Sequence, residues 1–194
     1  MPMIRETIVT TVNPAGDVHI APLGIIADGD GWIIAPFHPS TTLDNLRATP
    51  FAVANYTDDV RVFAGCLTGR NRWPTVASEN VPVPRLVGTL AHTELAVTRV
   101  TEDAQRPRFH CRVVRLASHA PFRGFNRAQA AVIEAAILAS RLRMLPREKV
   151  ESEMAYLEIA VGKTAAAAEL EAWGWLTEKI RAYYENENEN ARAP

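Results

Sequence analysis

The sequence predicts an α+β protein: an antiparallel β-barrel over roughly the first 120 residues, followed by a helical appendage. Three observations carry this. Short runs rich in Val, Ile and Thr are separated by turns built from Gly, Asn and Asp. One brief helix-forming stretch interrupts them. After Pro121 the pattern changes to Ala-rich segments with apolar residues near helical spacing. Many short strands joined by such turns favour an antiparallel barrel over a βαβ sheet.

Thr7 to Val12 is β-branched throughout, and Asn13-Pro14-Ala15-Gly16-Asp17 has turn chemistry at every position. Val18 to Ile26 is the returning strand of that hairpin. Asp28-Gly29-Asp30-Gly31 is a second turn, leading into a strand from Trp32 to Ala35. A short helix follows. Thr41 and Asp44 have capping-box spacing, with Ser40 as an alternative cap, and Leu43 and Leu46 share a face. Pro50 ends it after about two turns, because the residue before a proline is pushed out of the α region. Phe51 to Tyr56 and Val60 to Ala64 are expected as strands, and so are Arg85 to Val100 and Phe109 to Leu116.

Asn126 is placed as the N-cap of a helix over Arg127 to Arg143, with Ala131, Ala135, Leu138 and Leu142 near helical spacing. Pro146 suits the first turn of a second helix carrying Val150, Met154, Leu157 and Val161, with Gly162 as its stop. A third helix is expected from about Thr164, with Leu170, Trp173, Ile180 and Tyr184 along one stripe. The run from Glu185 to Asn190 has no apolar face and is expected to be a disordered tail. The domain reading is therefore a barrel over 1–120, helices over 121–185 and a tail over 186–194.

Composition narrows the function classes. The net charge of −1 argues against a nucleic-acid protein, which needs a basic excess for phosphate contacts. No apolar run approaches the ~20 residues of a membrane span, and the N-terminus lacks the apolar core of a signal peptide, so a cytoplasmic protein is expected. The two cysteines, Cys66 and Cys111, are far apart, which disfavours a disulfide or a CxxC site. The lysines, Lys149, Lys163 and Lys179, all lie late in the chain, and there is no GxxxxGK[ST] phosphate loop. The five histidines lack metal-ligand spacing, so no metal is expected. His38 is the one to watch, since an imidazolium there would face a phosphate at the short helix.

The stretch from His19 to Asn55 carries the functional signal. The start of the short helix offers unpaired N–H groups, a favourable dipole and the hydroxyls of Ser40, Thr41 and Thr42, which suit a phosphate. In the strand before it, Pro22 cannot donate to a ladder and Gly24 permits close approach to the backbone, which suits a flat apolar ligand. The same residues also suit an edge strand with a bulge followed by an ordinary capped helix. Trp32 and Phe37 are candidates to flank a ring or to fill the core.

These motifs resemble the FMN-binding split-barrel superfamily, and within it the family catalogued as domain of unknown function 447. His19-Ile20-Ala21-Pro22-Leu23-Gly24 resembles the Asn-x-Ala-Pro-x-Ser strand of its flavin reductases. Ser40-Thr41-Thr42-Leu43-Asp44-Asn45 resembles their Lys-Asp-Thr-x-x-Asn helix, and Phe51-Ala52-Val53-Ala54-Asn55 their Phe-Val-Val-Asn strand. Phe125-Asn126-Arg127-Ala128 and Val132-Ile133-Glu134-Ala135 resemble the helical part of the 447 family. The resemblance implies a split barrel that binds FMN and works as a homodimer, with the flavin at the subunit boundary. It further implies an oxidoreductase passing hydride or electrons to a small cofactor-like substrate, in a setting of tetrahydromethanopterin-linked one-carbon metabolism. A non-catalytic flavin-binding or sensing module and a structural dimer are the alternatives.

On that resemblance the cofactor residues are His19, Ala21, Pro22, Leu23, Gly24, Pro36, Phe37, Ser40, Thr41, Thr42, Asn45 and Asn55. No catalytic residue is assigned, because the redox chemistry belongs to the flavin. Ser40 stands where the reductases have lysine, so another cation must balance the phosphate; Arg5, Arg47, Arg61 and Arg70 are the candidates.

Overall fold

A computed structural model of the chain describes residues 2–192. The elements run β1 (Ile4–Val12), β2 (Val18–Asp28), β3 (Gly31–Ile34), α1 (Thr41–Ala48), β4 (Phe51–Tyr56), α2 (Arg61–Leu67), β5 (Thr75–Val76), β6 (Arg85–Leu86), β7 (Ala91–Thr101), β8 (Arg108–Ser118), α3 (Arg127–Ser140), α4 (Arg147–Thr164) and α5 (Ala167–Arg192). Six strands close an antiparallel barrel in the order β1-β2-β3-β8-β7-β4, and β5 pairs with β6 in a separate small sheet. The α+β class and the barrel match the sequence expectation. None of the helices is long and apolar enough to cross a membrane among the described residues.

The chain divides into two compact units. The barrel unit takes the chain up to Asp58 and then Asn71–Phe122. The helical unit takes Asp59–Arg70 and the chain from Arg123 onward. The division thus differs from a single cut near residue 120.

Local chemistry explains the barrel's hairpins. Asn13 Oδ1 accepts from the N–H groups of Ala15 and Asp17, both at 2.9 Å, and Gly16 takes the left-handed conformation with φ 87°. Gly31 lies against the Cys111 carbonyl so closely that any side chain there would collide with it. The barrel core gathers Val9, Ile25, Ile34, Leu43, Leu46, Ala52, Ala54, Leu95 and Phe109, so α1 is seated on the barrel by its two leucines. A second cluster joins Val81 and Val83, from the segment after β5, to Val12 and Val53 on the strands.

In the helical unit Val60 and Ala64 join Val132, Ala135, Ala139, Val150, Leu176 and Ile180 in one core. Asn126 caps α3, its Oδ1 accepting from Ala128 N at 2.7 Å and Gln129 N at 3.3 Å, as its sequence position implied.

Five expectations are corrected. Val60 to Ala64 is not a strand: Asp59 Oδ1 accepts from Arg61 N at 3.1 Å and opens α2, and Val60, Ala64 and Leu67 meet the helical core at helical spacing. Arg85 to Val100 is two strands, β6 and β7, broken around Gly88 and Thr89. Gly162 lies within α4, which runs on to Thr164. The buried stripe of α5 is Ala172, Leu176, Ile180 and Tyr184, while Leu170 is exposed and Trp173 half-buried. Residues 186–192 of the run expected as a tail form the last turns of α5, entered through the i,i+4 pairs Arg181–Glu185 and Tyr183–Glu187, and residues 193 and 194 lie outside the described residues.

Candidate functional site

The wall of the barrel is thinnest along β2. β1 pairs with the whole of Val18–Ile26, but β3 is four residues long and faces only Ile26, Ala27 and Asp28. Val18 to Ile25 therefore has no β3 residue opposite it. Ile20 and Ile25 point into buried surroundings, and the four residues Ala21, Pro22, Leu23 and Gly24 between them are all half-buried. A proline is poorly tolerated inside a ladder and well tolerated on such an open edge. His19 begins the stretch, half-buried, and burial lowers the pKa of its imidazole below the ordinary histidine value.

Helix α1 lies against β1 and β2. Ser40 is its N-cap, with Oγ accepting from Leu43 N at 3.3 Å, so the cap is Ser40 rather than Thr41. The first N–H groups of the helix have no intrahelical acceptor. Thr41 is exposed there, whereas Thr42 and Asn45 are buried. The Asn45 amide donates to Thr11 Oγ1 at 3.0 Å and ties α1 to β1.

The approach to α1 is held by the β7–β8 turn. Pro36 is buried and Phe37 is half-exposed, with the Arg106 guanidinium 4.3 Å above its ring. Arg106 also donates from Nε and Nη2 to the Ala35 carbonyl at 3.2 and 2.9 Å, and His38 N donates to the Gln105 carbonyl at 2.9 Å. Asp103 shapes that turn by accepting from the N–H groups of Gln105 and Arg106. Those bonds hold its carboxyl below the usual range, with Arg108 and His38 adding to the effect. Sequence reasoning missed Arg106. The signal was local, an Asp two and three residues before the N–H groups it caps, but the partner segment at 35–38 is distant in sequence.

Two predicted site residues have other employment. Asn55 is fully buried: its Nδ2 donates to the carbonyls of Ile8 at 3.0 Å and Val53 at 3.2 Å, and its Oδ1 accepts from Leu86 N at 2.8 Å. It pins β6 to the barrel and has no hydrogen-bonding capacity facing outward. Gly24 does not leave an open notch either, because a Cβ there would meet Ile4 Cγ2 at 2.8 Å and Glu6 Oε1 at 3.1 Å. Those side chains of β1 already cover the position.

The candidate cations sort in the same way. Arg47 pairs with Glu102 at 2.8 Å. Arg61 pairs with Asp59 at 2.7 Å, and Arg70 lies over the Trp175 ring at 4.5 Å, both within the helical unit. Arg5 stands opposite Ile25 on β1, exposed. Trp32 is half-buried against the barrel core. No group of three or more metal-ligating side chains with the geometry for a metal ion occurs among the described residues.

Comparison with known proteins fits this architecture. The N-terminal domain model of the protein family of unknown function DUF447 matches residues 5–120, and its C-terminal model matches residues 126–178. No curated protein matches. Among solved structures, an FMN-bound DUF447 protein from Methanosarcina mazei superposes with a TM-score of 0.79 at 20% identity, over 92% of this chain and 96% of that one. The 2-nitrobenzoate 2-nitroreductase of Pseudomonas fluorescens gives 0.51 at 19% identity, over 61% of this chain and 66% of that one. The flavin reductase component of a bacterial two-component tryptophan halogenase gives 0.51 at 15% identity, over 62% and 83%.

Proposed function

The chain belongs to the DUF447 family, and on that premise we propose that it is an FMN-binding flavoprotein of oxidoreductase type. The observation that carries the reading is the half-open apolar stretch Ala21–Leu23 on an unpaired edge of β2, beside a helix whose Thr41 and Thr42 N–H groups have no intrahelical acceptor. FMN needs donors at its phosphate and an apolar surface along its ring, and this pair of features supplies both. The likeness to an FMN-bound relative over nearly the full chain supports it.

When bound, FMN supplies two-electron redox chemistry. The chain's own residues bind and orient it. Ser40 and Thr41, with the N–H groups of the first turn of α1, would hold the phosphate. Ala21, Pro22 and Leu23, with His19 at one end, would lie along the ring and ribityl chain. Phe37, steadied by Arg106, would border the phosphate end, and the Arg106 guanidinium is the nearby cation.

A homodimer is part of the proposal. Met3 and Ile4 are about half exposed, and Ile4 adjoins the half-open β2 stretch with Glu6 beside it, so this part of the barrel offers apolar side chains at a polar rim to a second subunit. The test is direct. Purified protein reconstituted with FMN should show oxidised-flavin absorption, release FMN identified by mass spectrometry, and run as a dimer in light scattering. Bleaching by NADH or NADPH, followed by reoxidation with a pterin acceptor, then reads the oxidoreductase step. A protein that takes up no flavin would refute the reading.

A further inference from the structure

The barrel unit holds a second polar cluster that flavin binding does not use. Glu94, on β7, is fully buried, and its two carboxylate oxygens accept the main-chain N–H groups of Glu79 at 2.9 Å and Asn80 at 2.8 Å. His92, two residues earlier on the same face of the strand, is 1% exposed. Its Nε2 lies 3.4 Å from Glu94 Oε1, and its Nδ1 lies 2.8 Å from Nε2 of His119. The two ring planes differ by 10° with centroids 5.0 Å apart, so the nitrogens meet edge to edge. His119 is exposed, and the N–H groups of His119 and Ala120 both donate to the Leu90 carbonyl, at 2.7 and 3.1 Å, which holds the ring against β7.

The direction of these bonds follows from what each group can do. A carboxylate only accepts, so His92 Nε2 carries the proton. With its proton on Nε2, His92 presents a lone pair at Nδ1, His119 Nε2 donates to it, and His119 Nδ1 is left with a lone pair. Partial burial of the ring, then the charge of Arg85, hold the His119 imidazole below its ordinary range, which keeps that lone pair available at neutral pH.

We propose that Glu94, His92 and His119 form a relay that maintains His119 Nδ1 as a base on the barrel surface, acting on a small acid that carries an oxyanion. In the step, the substrate's acidic proton moves to His119 Nδ1 and its bonding pair stays on the substrate. The imidazolium so formed is stabilised by His92, whose other nitrogen is oriented by Glu94. Glu94 remains ionised, because two main-chain N–H groups hold its charge below the ordinary carboxylate range against the opposing effect of burial. Only a proton is transferred, so no oxidant is required. His119 is the catalytic residue, and His92 and Glu94 are positioning residues.

The charged groups facing His119 come from three neighbouring elements. They are Arg85 on β6, Arg115 on β8 and Glu79 in the segment between β5 and β6. Arg115 is anchored by Glu79 at 2.8 Å, and its buried Nε has no partner. Two guanidinium groups against one carboxylate leave a positive excess beside His119, which favours an anionic substrate.

The test is made on the full-length protein. Nitrogen–proton spectra of the imidazole rings at neutral pH should show His119 in the Nε2–H tautomer, and that order should be lost in His92→Gln. Acylation of His119 by diethylpyrocarbonate, located by peptide mapping, should slow about tenfold in His92→Gln. It should also slow in the parent protein when inorganic phosphate is added. Glu94→Gln should lose the tautomer order too, but it disturbs residues 79 and 80, so His92→Gln, which leaves those bonds intact, decides. An Nδ1–H tautomer at His119, or acylation of folded His92→Gln at the parent rate, would overturn the relay. Acylation indifferent to phosphate would overturn the anionic substrate. None of these readouts depends on flavin, so failure here leaves the cofactor reading standing.

Discussion

Replacing Asn55 with Ala distinguishes a structural anchor from a cofactor ligand. The side chain is fully buried and makes four hydrogen bonds, donating to the Ile8 and Val53 carbonyls and to Thr10 Oγ1 and accepting from Leu86 N. Removing it strands a buried N–H at Leu86, which costs about 1–3 kcal/mol, and forfeits the bonds its amide donates, of which the two to carbonyls are worth about 0.5–1.5 kcal/mol each. The carbonyls retain partial satisfaction in the sheet, so the expected loss is about 2–4 kcal/mol. Urea unfolding followed by circular dichroism, without flavin, reads this directly as a lower midpoint with unchanged slope. FMN affinity of the folded fraction should stay within about threefold of the parent, because no Asn55 atom is exposed to a ligand. Asn55→Asp keeps the acceptor for Leu86 but loses both donors and buries a charge, so it should be at least as unstable. A variant with parental stability and FMN affinity reduced tenfold or more would refute the reasoning and return Asn55 to the site.

Thr41→Ala should weaken FMN binding about ten- to a hundredfold while leaving riboflavin binding unchanged, measured by fluorescence quenching; equal weakening of both would remove the phosphate from α1. Arg106→Ala should cost about 1–3 kcal/mol in thermal or urea unfolding, through loss of the Ala35 hydrogen bonds and the Phe37 contact, and should also lower FMN affinity. Burial pushes the Cys66 thiol up to about 11 and the Cys111 thiol up to about 12. At pH 8 only about one molecule in a thousand carries the Cys66 thiolate, and fewer carry that of Cys111. Both should therefore resist iodoacetamide until the protein is unfolded; fast alkylation of native protein would contradict their burial.

Elements governed by neighbours within a few residues were legible from sequence. The Asn13–Asp17 turn, the end of α1 before Pro50 and the Asn126 cap each depend on groups two to four positions apart, and each has the predicted structure. Motif order pointed to the β2 stretch and α1, the two features on which the proposed cofactor site rests. Val60 to Ala64 misled because a compact apolar run fits either a strand or one helix face, and the choice was made by the helical core that Val60 and Ala64 join. Asn55 misled because a motif records that a polar residue is present without recording which groups already bind it.

The sequence by itself determined the α+β class, the strand-rich first part, the helical second part and the caps and turns between them, because these follow from period, propensity and short-range hydrogen bonding. Only the tertiary structure decided that residues 59–70 join the helices, that β3 is too short to cover β2, and that Arg106 reaches back to Ala35. It alone placed His92 beside His119, twenty-seven residues later. Pairings over such separations depend on the register of whole strands and on which surfaces must be buried together, and no local pattern of residues encodes that.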